Sequence, residues 1–85
     1  MITHGTDTMT DTAQALAGIE DKTIVLTGAL SPAAFAETDA PFNLGMAFAA
    51  AQVAPPGVYI AMSGQVFDGL RVRKDRAAGR FVALD

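Results

Sequence analysis

The sequence predicts an α/β fold in which a parallel sheet is built in β-α-β-α-β order. Two segments have the composition of buried parallel strands: 22–28 (KTIVLTG), which holds a four-residue run rich in β-branched residues, and 58–62 (VYIAM). Helical patterns over 9–17 and 42–54 separate these segments from each other and from a shorter strand-like segment at the N-terminus. Strands that alternate with helices in this way indicate parallel pairing through crossover helices.

The first strand and the first helix are predicted within residues 1–18. Ile2 and Thr3, which lead into Gly5, suit the last residues of a strand. The helix begins near Thr8, because apolar residues then recur at the i, i+4, i+7 and i+8 spacing of one helix face. These residues are Met9, Ala13, Leu16 and Ala17. Gly18 ends the helix.

The second helix is predicted over Phe42–Ala54, and it is apolar almost all round. Asp39 or Ala40 caps it, and Pro41 suits its first turn, where a missing backbone N–H costs nothing. We expect a helix of this kind to be buried on several sides, which argues against a lone monomer. After the strand at 58–62, a turn at Asp68–Gly69 precedes two predicted edge strands, at 70–72 and 81–84.

Sequential strand order has a consequence for the layers of the fold. Right-handed crossovers between three strands in order place both helices on the same face of the sheet. The other face would then be bare, whereas parallel sheets are normally covered on both sides. We therefore expect a fragment of a Rossmann-like three-layer fold. Residues upstream of Met1, another chain or self-association would supply the missing layer, so the expected partner is a second copy or a missing N-terminal half.

Composition excludes several classes of function. The chain has 85 residues, no cysteine and one histidine, His4, so it has no disulfide, no thiol nucleophile and no His-rich metal site. The N-terminus lacks the basic and apolar regions of a secretory signal. The longest apolar run, Leu44–Ala51, is far shorter than the roughly 20 residues of a membrane span. We expect a cytoplasmic protein with no membrane contact.

Five of the six basic residues fall within positions 71–80, although the formal net charge of the chain is −3. Such a cluster can neutralise phosphates. Asp68 and Asp75 interrupt it, however, and only Phe81 offers an aromatic ring nearby. We therefore expect no nucleic-acid partner, and a solvated or substrate-facing polar segment instead.

Thr6 and Asp7 form the first concentrated chemical signal, at the junction between the first strand and the first helix. In open α/β sheets, ligands bind at the carboxyl ends of the strands. A carboxylate there can hold a substrate ammonium, and a hydroxyl can attack a substrate or orient water. The alternative is that Thr6, Asp7 and Thr8 only cap the helix.

A hydroxyl nucleophile needs a base, because threonine is a weak nucleophile at its ordinary pKa. A lysine can serve when burial favours its neutral form. Lys74 is the candidate, because it follows the third strand and a turn, so the chain can return it to the same sheet edge. The alternative is a solvated lysine in a charged segment.

Two other motifs are incomplete. The segment 25–31 (VLTGALS) lacks the second and third glycines of a dinucleotide-binding loop. The segment 61–65 (AMSGQ) has Ala61 where a nucleophile elbow has its first glycine. We interpret Ser63 as a polar residue at a strand end.

Four motifs together resemble the bacterial L-asparaginase (asparaginase/glutaminase) family, and especially its short single-domain members. They are ITHGTDTM (2–9), KTIVLTGALSPA (22–33), DAPFNLGMA (39–47) and GVYIAMSGQVFDGLRVRK (57–74). The match covers nearly the whole chain, and the motifs occur in the order that the family has.

The resemblance implies hydrolysis of the side-chain amide of L-asparagine to L-aspartate and ammonia, without a metal or an organic cofactor. It implies that Thr6 works with Lys74 to activate the nucleophile or water. It also implies that Asp7 binds the α-amino group of the substrate, and that Ala29 lies beside the substrate amide.

Members of this family also have an N-terminal strand with a GGTI-type motif, whose threonine is the usual primary nucleophile, and a segment that binds the substrate carboxylate. These 85 residues contain neither. We therefore interpret 1–85 as the second half of an asparaginase N-terminal-type domain, and we expect the isolated chain to be poorly active. The alternative is a non-catalytic α/β fragment that acts only through association with a partner chain.

Overall fold

The computed structural model describes residues 1–30 and 38–84, which form six strands and two helices. The strands are β1 (Ile2–Thr3), β2 (Thr23–Thr27), β3 (Gly57–Met62), β4 (Gln65–Asp68), β5 (Val72–Asp75) and β6 (Arg80–Ala83), and the helices are α1 (Met9–Ala15) and α2 (Ala40–Val53). Asp39 is the N-cap residue of α2, as predicted. Part of the predicted loop over 29–40, residues 31–37, lies outside the described residues.

β1, β2 and β3 pair in parallel and in sequential order, which confirms the predicted β-α-β-α-β arrangement. β4 then adds an antiparallel edge strand, so that the sheet is mixed. The connection is a two-residue turn, Ser63–Gly64, with φ angles of 55° and 77°. A turn with positive φ at both central residues matches the twist of the strands that it joins.

β5 and β6 form a separate antiparallel hairpin. β5 shares only Val72 with the edge strand predicted at 70–72, whereas β6 overlaps most of the one predicted at 81–84, and β5 and β6 pair with each other. One side of the hairpin is apolar, because Val72 and Phe81 are buried in the core that also contains Leu26 and Ile60. The hairpin therefore packs on the sheet instead of extending it.

The two helices lie on opposite faces of the sheet, and the expectation that both share one face is wrong. Successive residues of a strand face opposite sides. On β2, Val25 packs with Ala47 and Ala50 of α2, whereas Leu26 packs with Met9 and Ala13 of α1.

This arrangement gives the two crossovers opposite hands, since both steps move across the sheet in the same direction. One crossover is therefore left-handed, against the usual rule. β2 and β3 carry apolar side chains on both faces, and each face is covered by a different element. α2 covers one face, while α1 and the β5–β6 hairpin together cover the other. Within residues 1–30 and 38–84, both faces of β2 and β3 are therefore covered, so the bare face from which a missing layer was predicted is not found there.

The outer side of α2 is apolar and exposed. Only Asn43, Ala47 and Ala50 of this helix are buried. Phe42 and Phe48 are 65% and 62% exposed. The expectation of burial on several sides is therefore wrong within the described residues. Ala47 and Ala50 face the sheet, and most of the larger apolar side chains of α2 are exposed: Phe42, Leu44, Phe48 and Val53.

No helix within residues 1–30 and 38–84 is both long enough and apolar enough to cross a membrane.

Candidate active site

The segments that follow β1 and β2 meet at the carboxyl-end edge of the sheet. The parallel pairing continues one residue beyond β1, where the His4 N–H donates to the Thr27 carbonyl at 2.8 Å. Gly28 comes next, and a Cβ atom at this position would overlap with the backbone oxygen of His4. Glycine therefore allows the two segments to approach closely, which brings Thr6 and Asp7 near the segment that contains Ala29.

The β5–β6 hairpin carries Lys74 to the same edge. Val72 and Phe81 are buried, and Lys74 pairs with Phe81 across the hairpin. Because residues i and i+2 of a strand share a face, Lys74 points inward like Val72, while Arg73 is exposed. The Phe81 N–H also donates to Ser63 Oγ at 3.0 Å, which ties the hairpin to the end of β3.

The structure brings Thr6, Asp7 and Lys74 together. Lys74 Nζ donates to Thr6 Oγ1 at 2.8 Å and to Asp7 Oδ1 at 2.7 Å. The Lys74 side chain is only 18% exposed, so it is not a solvated lysine. The Asp7 side chain is 72% exposed and is open to a ligand.

Helix capping does not account for these side chains. Thr8 is the N-cap residue of α1, but it makes no side-chain capping hydrogen bond. The side chains of Thr6 and Asp7 instead share Lys74, which is 68 and 67 positions away in the sequence.

Asp7 lies beside two cations. The hydrogen bond from Lys74, the charge of Lys74 and the charge of Arg76 hold the pKa of Asp7 below its ordinary value of 3.8. Arg76 Nη2 lies 3.6 Å from Asp7 Oδ1, and its side chain is 68% exposed. Asp7 is therefore ionised at neutral pH and can bind an ammonium group.

Ala29 lies two residues beyond the end of β2, and it is half-buried. A network that sequence reasoning missed holds the backbone on both sides of it. Asn43 Nδ2 donates to the Gly28 carbonyl and to Asp39 Oδ2, both at 2.9 Å. The Leu30 N–H donates to the same Asp39 oxygen at 3.0 Å. An asparagine among apolar residues in the first two turns of α2 is the signal that would have identified this network.

His4 and Ser63 have structural partners. His4 Nδ1 lies 2.7 Å from the Gly5 carbonyl, and His4 Nε2 lies 2.8 Å from Thr12 Oγ1. Ser63 follows β3 directly, as predicted for a polar residue at a strand end. Its hydroxyl accepts the hydrogen bond from Phe81, so it belongs to the hairpin contact.

Comparisons with known proteins agree with this fold. A family model described as "Asparaginase, N-terminal" matches residues 1–82. L-asparaginase 2 of Escherichia coli K12 is 42% identical over 79 residues, which cover 87% of this chain and 23% of that protein. The L-asparaginase of Thermococcus kodakarensis is 38% identical over 82 residues, which cover 93% of this chain and 25% of that protein.

A solved structure of the thermostable L-asparaginase from Thermococcus kodakarensis matches with a TM-score of 0.84 at 36% identity. The match covers 96% of this chain and 26% of that one. This chain thus spans about a quarter of the length of the relatives that it matches. The family model includes the positions of Thr6, Asp7 and Lys74. The chain belongs to the asparaginase N-terminal family.

Proposed function

We propose that this chain supplies one side of an amidohydrolase site that hydrolyses the side-chain amide of L-asparagine to L-aspartate and ammonia. The observation that carries the proposal is the position of Lys74 Nζ, within hydrogen-bond distance of both Thr6 Oγ1 and Asp7 Oδ1. The related L-asparaginases support asparagine hydrolysis as the general reaction.

Asp7 binds the α-ammonium group of the substrate in this proposal. Its carboxylate is ionised and largely exposed, so a substrate ammonium can approach it in addition to Lys74 and Arg76. Charge-assisted hydrogen bonds of this kind are stronger than neutral ones. Asp7 thereby fixes one end of the amino acid next to Thr6.

Thr6 and Lys74 carry out the proton transfer that activates the nucleophile or water. In the resting arrangement Lys74 Nζ donates to both oxygen atoms. A substrate ammonium at Asp7 Oδ1 takes over this acceptor. Lys74 acts as a base once its ammonium group has given a proton to solvent, and the neutral amine then takes the proton of Thr6 Oγ1. The threonine hydroxyl can then act on the nucleophile or on water, as an activated hydroxyl beside a base does in acyl transfer.

The reaction balances with water as the only other reactant. An oxygen nucleophile adds to the side-chain carbonyl carbon, the C–N bond breaks, and the nitrogen leaves as ammonia with the proton that Lys74 took up. Where the nucleophile is a hydroxyl, water then hydrolyses the resulting ester and restores the hydroxyl. The second product is the side-chain carboxylate of aspartate. Ala29, beside the backbone held by Asn43, lines the amide end of the substrate.

We expect the isolated 85-residue chain to release little ammonia. The family resemblance assigns the primary nucleophile and the carboxylate-binding segment to parts that these 85 residues do not contain. Groups that act as a unit are strongly non-additive, so removal of one abolishes most of the rate. Turnover by this chain near that of a complete enzyme would refute this expectation.

The second candidate is a non-catalytic α/β chain that acts through association with a partner chain. The exposed aromatic side chains of α2 favour it, because Phe42 and Phe48 both lie outside the core. The two candidates predict different effects of removing the Thr6 hydroxyl on ammonia release: a large loss for the amidohydrolase, and no change for the non-catalytic chain.

The test uses a chimera in which this chain replaces the matching quarter of the Thermococcus kodakarensis L-asparaginase. Ammonia release from L-asparagine is measured for Thr6→Val, for Thr6→Ser, and for Thr10→Val as a control on α1. We expect Thr6→Val to lower kcat by roughly 10²-fold or more. Thr6→Ser should retain part of the activity, because it keeps the hydroxyl, and Thr10→Val should leave the activity unchanged. Equal rates for Thr6→Val and Thr10→Val would contradict the proposal and favour the non-catalytic candidate.

A further inference from the structure

Among the described residues of α2, Asn43 is the only buried polar one, and it is 1% exposed. The other buried residues of this helix are alanines. A buried amide is costly unless its hydrogen bonds are satisfied. The position of Asn43 therefore calls for an explanation beyond the packing of α2 on the sheet.

The two N–H groups of the Asn43 amide have two short acceptors, the Gly28 carbonyl and Asp39 Oδ2, both at 2.9 Å. Met62 Sδ, at 3.6 Å, is a third and weaker contact. Asp39 Oδ2 also accepts the Leu30 N–H at 3.0 Å. Residues at the start of α2 thus form hydrogen bonds with the backbone immediately before and after Ala29.

Asp39 has the sequence position of a helix cap, but it makes no side-chain capping hydrogen bond to α2. Its carboxylate instead faces the segment after β2. Asp39 Oδ2 accepts the Leu30 N–H and Asn43 donates to the Gly28 carbonyl, so both side chains bind the backbone of that segment.

The same segment contacts the other side of the site. Gly28 lies against the backbone oxygen of His4, and a Cβ atom there would overlap with it. His4 in turn is two residues before Thr6. A shift of Gly28 would therefore change the separation between the Thr6–Asp7 segment and the Ala29 segment.

We propose that Asn43 is a positioning residue, which acts with Asp39 to fix the Gly28–Leu30 backbone and so sets the width of the gap that receives the amide end of the substrate. This inference rests on the proposed function, since it assigns Asn43 a role at the same site. Asn43 does not touch the substrate. It acts through the backbone that does.

The first test measures amide hydrogen exchange in the 85-residue chain. Asn43→Leu keeps a similar volume and removes both donors. We expect the Leu30 amide to exchange roughly tenfold faster or more, because its acceptor Asp39 loses its own anchor. Ile60, in the centre of β3, should be unaffected beyond the change in global stability. Ala50→Gly, which weakens α2 without contacting the segment, is the matched control.

A second variant covers the case in which Asn43→Leu does not fold. Asp39→Ala removes the acceptor of the Leu30 N–H and leaves the Asn43 bond to Gly28 in place. It should also speed exchange at Leu30. Unchanged Leu30 exchange in a folded Asn43→Leu or Asp39→Ala protein overturns the inference.

The second test measures function in the Thermococcus kodakarensis chimera. We expect Asn43→Leu to lower kcat/KM for L-asparagine by about tenfold, because small misplacement of a substrate-contacting segment is costly. Ala50→Gly should leave kcat/KM within about twofold at a temperature where both proteins are folded. Faster Leu30 exchange with unchanged kcat/KM would overturn the inference, because the network would then serve stability alone.

The two proposals fail in different ways. If Thr6→Val leaves turnover unchanged, the proposed function fails whatever Asn43 does. If Thr6→Val abolishes turnover and Asn43→Leu has no more effect than Ala50→Gly, only the positioning role fails.

Discussion

Gly28→Ala tests whether the close approach of the two site segments depends on the missing side chain. The new Cβ atom would overlap with the His4 backbone oxygen, and Met9 Cε would lie 3.2 Å away. The methionine side chain can rotate, but the backbone oxygen cannot. Relief requires separation of the two segments and weakens the hydrogen bond from the His4 N–H to Thr27.

The cost follows from these two effects. Overpacking against backbone costs about 1–3 kcal/mol, and a lost backbone hydrogen bond adds about 1 kcal/mol. The sum is about 2–4 kcal/mol. This is a large part of the free energy of unfolding expected for 85 residues, roughly 4–13 kcal/mol, yet the protein should remain folded at low temperature.

The matched control is Gly45→Ala on the exposed side of α2. A Cβ atom at Gly45 meets nothing within 4 Å, and alanine is favoured over glycine in a helix by up to about 1 kcal/mol. Urea unfolding followed by circular dichroism should therefore show loss of stability for Gly28→Ala and a small gain for Gly45→Ala. A Gly28→Ala protein within about 0.5 kcal/mol of the wild type would refute the steric argument.

Three further outcomes are expected. The pKa of Asp7 in the folded protein lies below its ordinary value of 3.8. Ionised Asp7 therefore stabilises the fold fully above pH 3.8, and this contribution is lost as the pH falls through the pKa of the folded state. NMR titration of the carboxyl carbon should accordingly show a midpoint below 3.8 that moves upward in Lys74→Met, and an unchanged midpoint would contradict the ion pair. Val72→Ala should destabilise the hairpin by about 1–3 kcal/mol, measured by urea unfolding, because this side chain is 5% exposed and alanine leaves a cavity. Phe48→Glu should change stability by less than about 0.5 kcal/mol and should reduce self-association in sedimentation experiments; unchanged association would place any interface between copies elsewhere.

β1, β2, β3 and both helices were predictable because their patterns are local, whereas β4 was not predicted. The apolar run of β2 and the 3.6-residue spacing of α1 each depend on a few neighbouring residues. The faces of the sheet on which α1 and α2 pack were not predictable, because they depend on tertiary packing: α1 covers Leu26 and α2 covers Val25. The rule that crossovers are right-handed predicts both helices on one face, whereas α1 and α2 cover opposite faces.

The site was predictable in part. The strand-to-helix junction indicated Thr6 and Asp7, and the path of the chain after the third strand indicated Lys74. The inward direction of Lys74 follows from burial of Val72 two residues earlier, which is a tertiary effect. The hydrogen bonds of Asn43 were not predicted, because its partners Gly28 and Asp39 are brought together only by the packing of α2 on the sheet.

The most direct test of the Thr6–Asp7–Lys74 site compares two neighbours on β5. In the Thermococcus kodakarensis chimera, ammonia release from L-asparagine is measured for Lys74→Met and for Arg73→Met, which alters an exposed side chain on the same strand. We expect Lys74→Met to lower kcat by roughly 10²-fold or more, and Arg73→Met to leave it within about twofold. Equal kcat values for the two variants would contradict the assignment of Lys74 to the reaction.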